Sequence, residues 1–152
     1  MAQLNYKVLK ESGYKGYILE KAPEKVMQFG EGNFLRAFVD DFIDIANEKA
    51  AFNGKVALVQ PIAQGLTELI NKQEGLYTLY LRGSEKGVKV DDKRVISAVS
   101  RCINPYGDWD KVLEMAKSDD LEIIVSNTTE AGIVHDRKAP LTRPRRSVSR
   151  PS

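Results

Sequence analysis

The fold of this chain is decided by the stretch Val26-Met27-Gln28-Phe29-Gly30-Glu31-Gly32-Asn33-Phe34-Leu35-Arg36. Its apolar start stops at Gly30, as a buried strand of a parallel sheet does. Gly30 permits a tight turn that a Cβ would hinder, and Gly32 leaves no side chain between the backbone and a bound pyrophosphate. The stretch therefore predicts a strand, a glycine turn and a helix in the arrangement that binds a dinucleotide.

The helix after the glycine turn has a wide apolar stripe. Its members recur at helical spacing and are Phe34, Phe38, Phe42, Leu35, Val39 and Ile43. We expect the stripe to face the core and the acidic residues to lie largely on the other face. These acidic residues are Asp40, Asp41, Asp44 and Glu48. Residues 55–60 form a second strand, which Pro61 ends, so the first sixty residues predict one βαβ unit.

The remaining pattern predicts further short helices and strands. They are helices 64–72 and 109–117 and strands 76–81, 88–90, 95–99 and 121–126. The strands between 76 and 99 form a β-rich insertion in the sheet, with a charged bend at Asp91–Arg94. The predicted fold class is α/β, a Rossmann-like, mostly parallel sheet with this insertion and a disordered C-terminal tail.

A cofactor site is expected where the glycine turn meets the helix. The helix N-terminus offers free N–H groups and the positive end of its dipole, Asn33 could cap it, and Arg36 could reach a phosphate. A second polar segment, Ser126–Glu130, follows a predicted strand at its carboxyl end, where open α/β sheets bind ligands. The predicted cofactor-binding residues are Met27, Gln28, Phe29, Gly30, Glu31, Gly32, Asn33, Phe34, Leu35, Arg36, Ala37, Phe38, Asn127 and Thr128.

Two plainer interpretations stay open. The glycines could serve only the geometry of a strand–turn–helix, and the polar segment could be a loop that caps a following turn. The usual third glycine is replaced by Leu35, and Gln60-Pro61 stands where an acidic residue usually binds the adenine ribose. Gln60 can bond a hydroxyl but cannot repel a 2′-phosphate, so the residues alone leave NAD and NADP open.

The chain offers little for catalysis or metal binding. Cys102 is the single cysteine and His135 the single histidine. No His/Cys cluster has metal-ligand spacing, and adjacent residues such as His135 and Asp136 seldom face one another usefully. We therefore predict no catalytic and no metal-binding residue. The absence of a disulfide pair, of a long apolar run and of a signal-peptide layout predicts a cytoplasmic protein without membrane contact.

Charge is distributed unevenly along the 152 residues. Six of the 23 basic residues lie in 137–152, which holds no acidic residue. Residues 1–136 therefore contain 17 basic and 21 acidic residues, a net charge of −4. We divide the chain into a lead-in at 1–24, a nucleotide-binding domain at 25–136 and a basic, disordered tail at 137–152. The tail is of the kind that binds nucleic acid, although it lacks aromatic residues for base stacking.

Several motifs resemble one protein family. They are Gln28–Asp40, Gln60-Pro61-Ile62, Gly75–Thr78 and Ser126–Ile133. Together they resemble the mannitol dehydrogenase family, and within it the tagaturonate reductase (altronate oxidoreductase) subgroup. The resemblance implies a Rossmann domain that binds NAD(H), and hydride transfer between tagaturonate and altronate. It also implies catalytic residues in a helical C-terminal domain that this sequence does not contain, so a hexuronate or hexonate substrate is expected only for a full-length protein.

The tail departs from the family pattern. Residues 142–152 read TRPRRSVSRPS, where a family member continues with a loop containing Asp and Pro. One choice of codons, shifted by one base after Leu141, restores a family-like loop, which suggests a frameshift. We therefore expect a truncated cofactor domain that is inactive alone. The alternatives are a non-catalytic nucleotide-binding fragment and, less favoured, a basic-tailed nucleic-acid binder; no nucleic-acid partner is predicted.

Overall fold

The computed structural model describes residues 3–128. The predictions for Thr129, Glu130, His135 and the basic tail lie outside the described residues. The elements in chain order are α1 (Tyr6–Glu11), β1 (Glu24–Phe29), α2 (Asn33–Ala50), β2 (Lys55–Val59), α3 (Thr67–Lys72), β3 (Tyr77–Glu85), β4 (Val88–Ile96), β5 (Val99–Ile103), α4 (Trp109–Ala116) and β6 (Ile123–Ser126).

A four-stranded parallel sheet forms the centre, in the order β5-β2-β1-β6. Alternate residues of its strands enter two apolar clusters on opposite faces. Val26 and Leu58 pack with Ile70 of α3 and with Ile43 of α2. Met27 and its neighbours on the other face pack against α4. Helices on both faces explain why the central strands read as continuous apolar runs, and the predicted α/β Rossmann-like sheet is confirmed.

The predicted insertion lies outside this sheet. Strands β3 and β4 pair with each other as a separate antiparallel hairpin, from Tyr77↔Ile96 to Glu85↔Val88. The predicted bend at Asp91–Arg94 is wrong, because these residues continue β4 and pair with Leu79–Arg82. Asp91, Asp92 and Lys93 are exposed on this two-stranded ribbon, so the charged run needs no turn to reach solvent. The predicted strand 95–99 is divided instead, and β5 joins the edge of the parallel sheet.

Helix α2 follows the predicted faces only in part, since Leu35 and Ile43 pack inward as expected but the three phenylalanines do not. Asp40 and Asp44 are 0% exposed, whereas Phe34, Phe38 and Phe42 are at least half exposed. The physical reason is the hairpin packed against α2, which supplies donors to the acidic face. Asp44 accepts hydrogen bonds from Arg94 Nε (2.8 Å), Ser97 N (2.8 Å) and Ser97 Oγ (3.0 Å). The helical periodicity separates the apolar from the acidic residues of α2, but it does not show which acidic residues receive hydrogen bonds from distant parts of the chain.

The three phenylalanines form an aromatic ladder along the outer face of α2. The ring centroids of Phe34 and Phe38 are 5.7 Å apart, and those of Phe38 and Phe42 are 4.6 Å apart. These separations are typical of attractive aromatic pairs.

The lead-in contains a helix that the sequence pattern did not predict. Asn5 Oδ1 accepts a hydrogen bond of 2.8 Å from Val8 N and caps α1. Leu9 packs with Leu76 and Val95, so α1 closes a third cluster beside the hairpin. Within residues 3–128, no helix combines the length and apolar character needed to span a bilayer.

Candidate functional site

The carboxyl ends of β1 and β6 meet at the point where the sheet topology reverses. β1 is flanked by β2 on one side and β6 on the other, with Phe29 in register with both Val59 and Ser126. The glycine turn and the exposed residues Asn127 and Thr128 therefore follow neighbouring strands at the same edge of the sheet. Open α/β sheets bind ligands in this position, and the structure brings the two predicted site segments together.

Gly30 has a backbone conformation that suits glycine. Its φ is +125°, and its N–H donates to the carbonyl oxygen of Val59 at 3.0 Å. A Cβ added there would lie 2.9 Å from Leu35 Cδ1. Leu35, which replaces the usual third glycine, is buried against Gly30, so its side chain packs the turn instead of opening it to a ligand.

Gly32 forms the N-cap of α2 and opens the site. Its φ is −69° and ψ is 163°, no side chain caps the helix, and a Cβ added here would meet no atom within 4 Å. Asn33 is the first helical residue and not the predicted cap. The first N–H groups of an 18-residue helix therefore face an open space at the positive end of its dipole, which suits a pyrophosphate.

Arg36 is held close to this helix end by its neighbours. Its Nη2 donates to Asn33 Oδ1 at 2.6 Å, and its guanidinium carbon lies 5.2 Å from the ring centroid of Tyr77. The Tyr77 hydroxyl donates to the Arg36 carbonyl oxygen at 2.6 Å. The hairpin thus fixes both the backbone and the side chain of the first turn of α2.

A buried polar pair lies beneath the glycine turn. Gln28 Nε2 donates to the Gly30 carbonyl oxygen at 3.1 Å, and Asp40 accepts from Tyr77 at 3.4 Å. Gln28 Oε1 and Asp40 Oδ1 are both buried and have no hydrogen-bond partner among the described residues. Burial raises the pKa of Asp40 from 3.8 to about 7, against the opposing effects of Tyr77 and Arg36. A protonated Asp40 can supply a donor that this pair lacks.

Gln60 is not free to bond a ribose hydroxyl, a role that the sequence had left open to it. It is 2% exposed, and its Nε2 donates to the Ile62 carbonyl oxygen at 2.7 Å. Its Oε1 accepts from Thr67 N at 3.2 Å and from Thr67 Oγ1 at 2.7 Å. Gln60 therefore serves to fold the loop 61–66 over the end of β2.

The carboxylate of Glu31 reaches the end of β2 from the glycine turn. A Cβ on Gly65 would overlap both Glu31 Oε1 and the side-chain amide of Gln60. Glu31 is 7% exposed, and within residues 3–128 it receives neither a hydrogen bond nor a salt bridge. The Glu31 carboxylate thus lies near the end of β2, where the strand itself carries Gln60 instead of an acidic residue.

The predicted site residues fall into three groups by position. Those at the crevice are Gly30, Glu31, Gly32, Asn33, Arg36, Asn127 and Thr128. Those packed in the interior or half-buried are Met27, Gln28, Phe29 and Leu35, and those exposed along α2 are Phe34, Ala37 and Phe38. Asp40 and Tyr77 were missed as supports of the turn, because no short-range pattern pairs a helix with a hairpin about 40 residues later.

Within the described residues, no group of three or more His, Cys, Asp or Glu side chains is placed to hold a metal ion. Cys102 is buried with its Sγ 3.2 Å from Thr67 Oγ1, and burial raises the pKa of the thiol. These features suit a packed core residue and not a nucleophile.

Sequence comparison places the chain among dehydrogenases. A family model described as the mannitol dehydrogenase Rossmann domain matches residues 24–149. The altronate oxidoreductase of Halalkalibacterium halodurans is 41% identical over 151 residues, which is 95% of this chain and 30% of that protein. The altronate oxidoreductase of Bacillus subtilis is 49% identical over 116 residues, which is 76% of this chain and 24% of that protein. The chain spans about a quarter to a third of these curated relatives.

Comparison of structures supports the fold. Mannitol 2-dehydrogenase of Pseudomonas fluorescens, solved as a ternary complex with NAD and D-mannitol, aligns with a TM-score of 0.67 at 18% identity. The alignment covers 83% of this chain and 26% of that one. D-sorbitol dehydrogenase in substrate-free form aligns with a TM-score of 0.69, also at 18% identity, over 86% of this chain and 28% of that one.

Proposed function

The chain belongs to the mannitol dehydrogenase family through its Rossmann domain, and from that premise we propose that it binds NAD(H) at the glycine turn. The observation that carries the proposal is Gly32, where the backbone has an ordinary conformation, the space for a side chain is open and α2 begins. A pyrophosphate at this position would accept hydrogen bonds from the first N–H groups of the helix.

Two segments of the described chain would contact the cofactor. The glycine turn and Arg36 face the phosphates, where a guanidinium adds positive charge and hydrogen bonds. Asn127 and Thr128 follow the neighbouring strand and offer amide and hydroxyl groups to a ribose or to the nicotinamide amide. When bound, NAD(H) supplies the hydride chemistry, and the protein supplies binding and orientation.

For the whole protein we propose altronate oxidoreductase activity, in which tagaturonate and altronate are interconverted with NAD(H). The support is the identity to curated altronate oxidoreductases from two bacteria. The proposal places the protein in the cytoplasm, where a single buried cysteine in the reduced state is ordinary. Within residues 3–128 we assign no acid or base that could act on a substrate carbonyl, so this chain alone is proposed to bind cofactor without turnover.

Two experiments test these proposals separately. Calorimetric titration of the 152-residue chain with NADH is expected to show one site, and a duplex DNA of mixed sequence is expected to give no saturable heat. No heat with NADH would reject cofactor binding, whereas a saturable DNA signal would favour the basic-tail alternative. A spectrophotometric assay with NADH and tagaturonate is expected to show no oxidation of NADH, and turnover would show that this chain contains catalytic groups.

A further inference from the structure

We propose that Glu31 is the residue that binds the adenosine ribose and selects NAD over NADP. This inference rests on the proposed cofactor site and adds to it a specificity-determining residue. In many Rossmann domains an acidic residue at the end of the second strand performs this task. Here Gln60 occupies that position, and its side-chain amide is hydrogen-bonded to the loop that follows it.

The backbone explains how Glu31 reaches the second strand. Gly30 N–H donates to the carbonyl oxygen of Val59, the last residue of β2, so the glycine turn begins while still paired with that strand. The next side chain, Glu31, extends across the end of β2 until its Oε1 lies against Gly65. Gln60 continues the strand by donating its N–H to the Ile103 carbonyl oxygen at 2.9 Å. The carboxylate therefore lies beside the end of β2 without belonging to it.

The carboxylate of Glu31 is available as a hydrogen-bond acceptor. Glu31 is more than nine-tenths buried, yet within residues 3–128 no donor is bonded to it. A carboxylate that receives no donor from the protein keeps its acceptor capacity for the hydroxyl groups of a ligand. The two hydroxyls of a ribose supply donors of the required kind.

The walls of this position disfavour a 2′-phosphate. The loop from Gln60 to Thr67 contains no lysine or arginine, and its residues 61–65 are exposed. A phosphate on the ribose would bring negative charge next to Glu31 with no basic residue of the loop to offset it. Like charges in a partly buried site repel strongly, so the same carboxylate that binds the diol rejects the phosphate.

The test compares cofactors on the wild-type chain and on Glu31→Gln, with Glu68→Gln as a matched control. Glu68 is an exposed glutamate in the first turn of α3, outside the proposed crevice. Kd values for NADH and NADPH are measured by calorimetry. We expect wild type and Glu68→Gln to prefer NADH strongly, and Glu31→Gln to lose about tenfold in NADH affinity, as one charge-assisted contact predicts. The ratio of the two Kd values should then fall at least tenfold.

A second measurement compares two ligands, and its first part uses the wild-type chain alone. NADH that lacks the adenosine 2′-hydroxyl should bind the wild-type chain about tenfold more weakly than NADH, and the difference should nearly vanish in Glu31→Gln. Equal affinity of the wild-type chain for the two ligands would overturn the role of Glu31. An unchanged NADH to NADPH ratio in a folded Glu31→Gln would do the same. If the wild-type chain binds no NADH at all, the proposed function fails first and the inference with it, which distinguishes the two failures.

Discussion

The hydroxyl of Tyr77, at the start of the β3–β4 hairpin, donates a hydrogen bond of 2.6 Å to the carbonyl oxygen of Arg36 in the first turn of α2. The same hydroxyl lies 3.4 Å from Asp40, and the ring lies beneath the Arg36 guanidinium. The hairpin therefore does more than project from the sheet, because it sets the helix end that faces the proposed pyrophosphate position.

We expect Tyr77→Phe to lower the free energy of unfolding by about 1–2 kcal/mol, because the part-buried Arg36 carbonyl oxygen loses the hydroxyl donor and Asp40 loses its polar neighbour. Tyr80→Phe is the matched control, since Tyr80 lies on the same strand and is 56% exposed. Urea unfolding followed by circular dichroism measures both variants. An equal, small effect of the two substitutions would show that the contact with Arg36 contributes nothing.

Asp40 should make stability depend on pH. Burial raises its pKa from 3.8 to about 7 in the folded chain, so the folded state holds its proton more tightly than the unfolded state. The stabilisation is fully present below the unfolded pKa, falls as the pH rises from about 4 to about 7, and is absent above that range. We expect Asp40→Asn to remove a dependence on the order of a few kcal/mol across this window.

The measurement for Asp40 is the urea midpoint between pH 4 and pH 8, with the exposed Asp119 changed to Asn as a control. The control should follow the wild-type profile, and Asp40→Asn should be flatter. Parallel profiles for all three proteins would mean that Asp40 is ionised at every pH tested.

The ion pair between Arg94 and Asp44 should carry much of the contact between hairpin and helix. Asp44 is 0% exposed, so Arg94→Met would leave a buried carboxylate without its charged partner. We expect a loss of about 3–5 kcal/mol in the free energy of unfolding. Arg82→Met removes an ion pair with Asp91 whose side chains are 70% and 55% exposed, and it should cost less than about 1 kcal/mol. Similar costs for the two variants, in urea unfolding, would contradict the structure of this interface.

The aromatic ladder on α2 should promote self-association. Phe38 is 50% exposed between Phe34 and Phe42, and a contiguous apolar patch of this kind is prone to association. We expect Phe38→Gln to shift sedimentation velocity profiles toward monomer while leaving the urea midpoint nearly unchanged. Phe52→Gln, at a half-buried residue packed against the core, should instead lower the midpoint. Unchanged sedimentation of Phe38→Gln would show that the ladder does not mediate association.

The sequence predicted the parts of the site that local rules govern. Neighbouring residues alone predict a strand that stops at Gly30, a helix that begins after Gly32 and a polar segment after the last strand. The structure places these three features at one edge of the sheet. The inward face of α2 was mispredicted in part, because the partners of the buried Asp44 are Arg94 and Ser97, which lie 50 and 53 residues away. The role of Gln60 could not be predicted for a similar reason, since its hydrogen bonds depend on how the loop 61–66 folds.

The most direct test of cofactor binding at the glycine turn is an NADH titration of the wild-type chain, Gly32→Val and Gly83→Val. An added Cβ would meet no atom within 4 Å at either glycine. Gly32 has a φ of −69° and Gly83 lies within strand β3, so both backbones can accept valine. Only valine at Gly32 would fill the proposed pyrophosphate position. Gly32→Val is expected to bind NADH at least tenfold more weakly than wild type, and Gly83→Val should bind it equally well. Undiminished binding by folded Gly32→Val would contradict the proposed site.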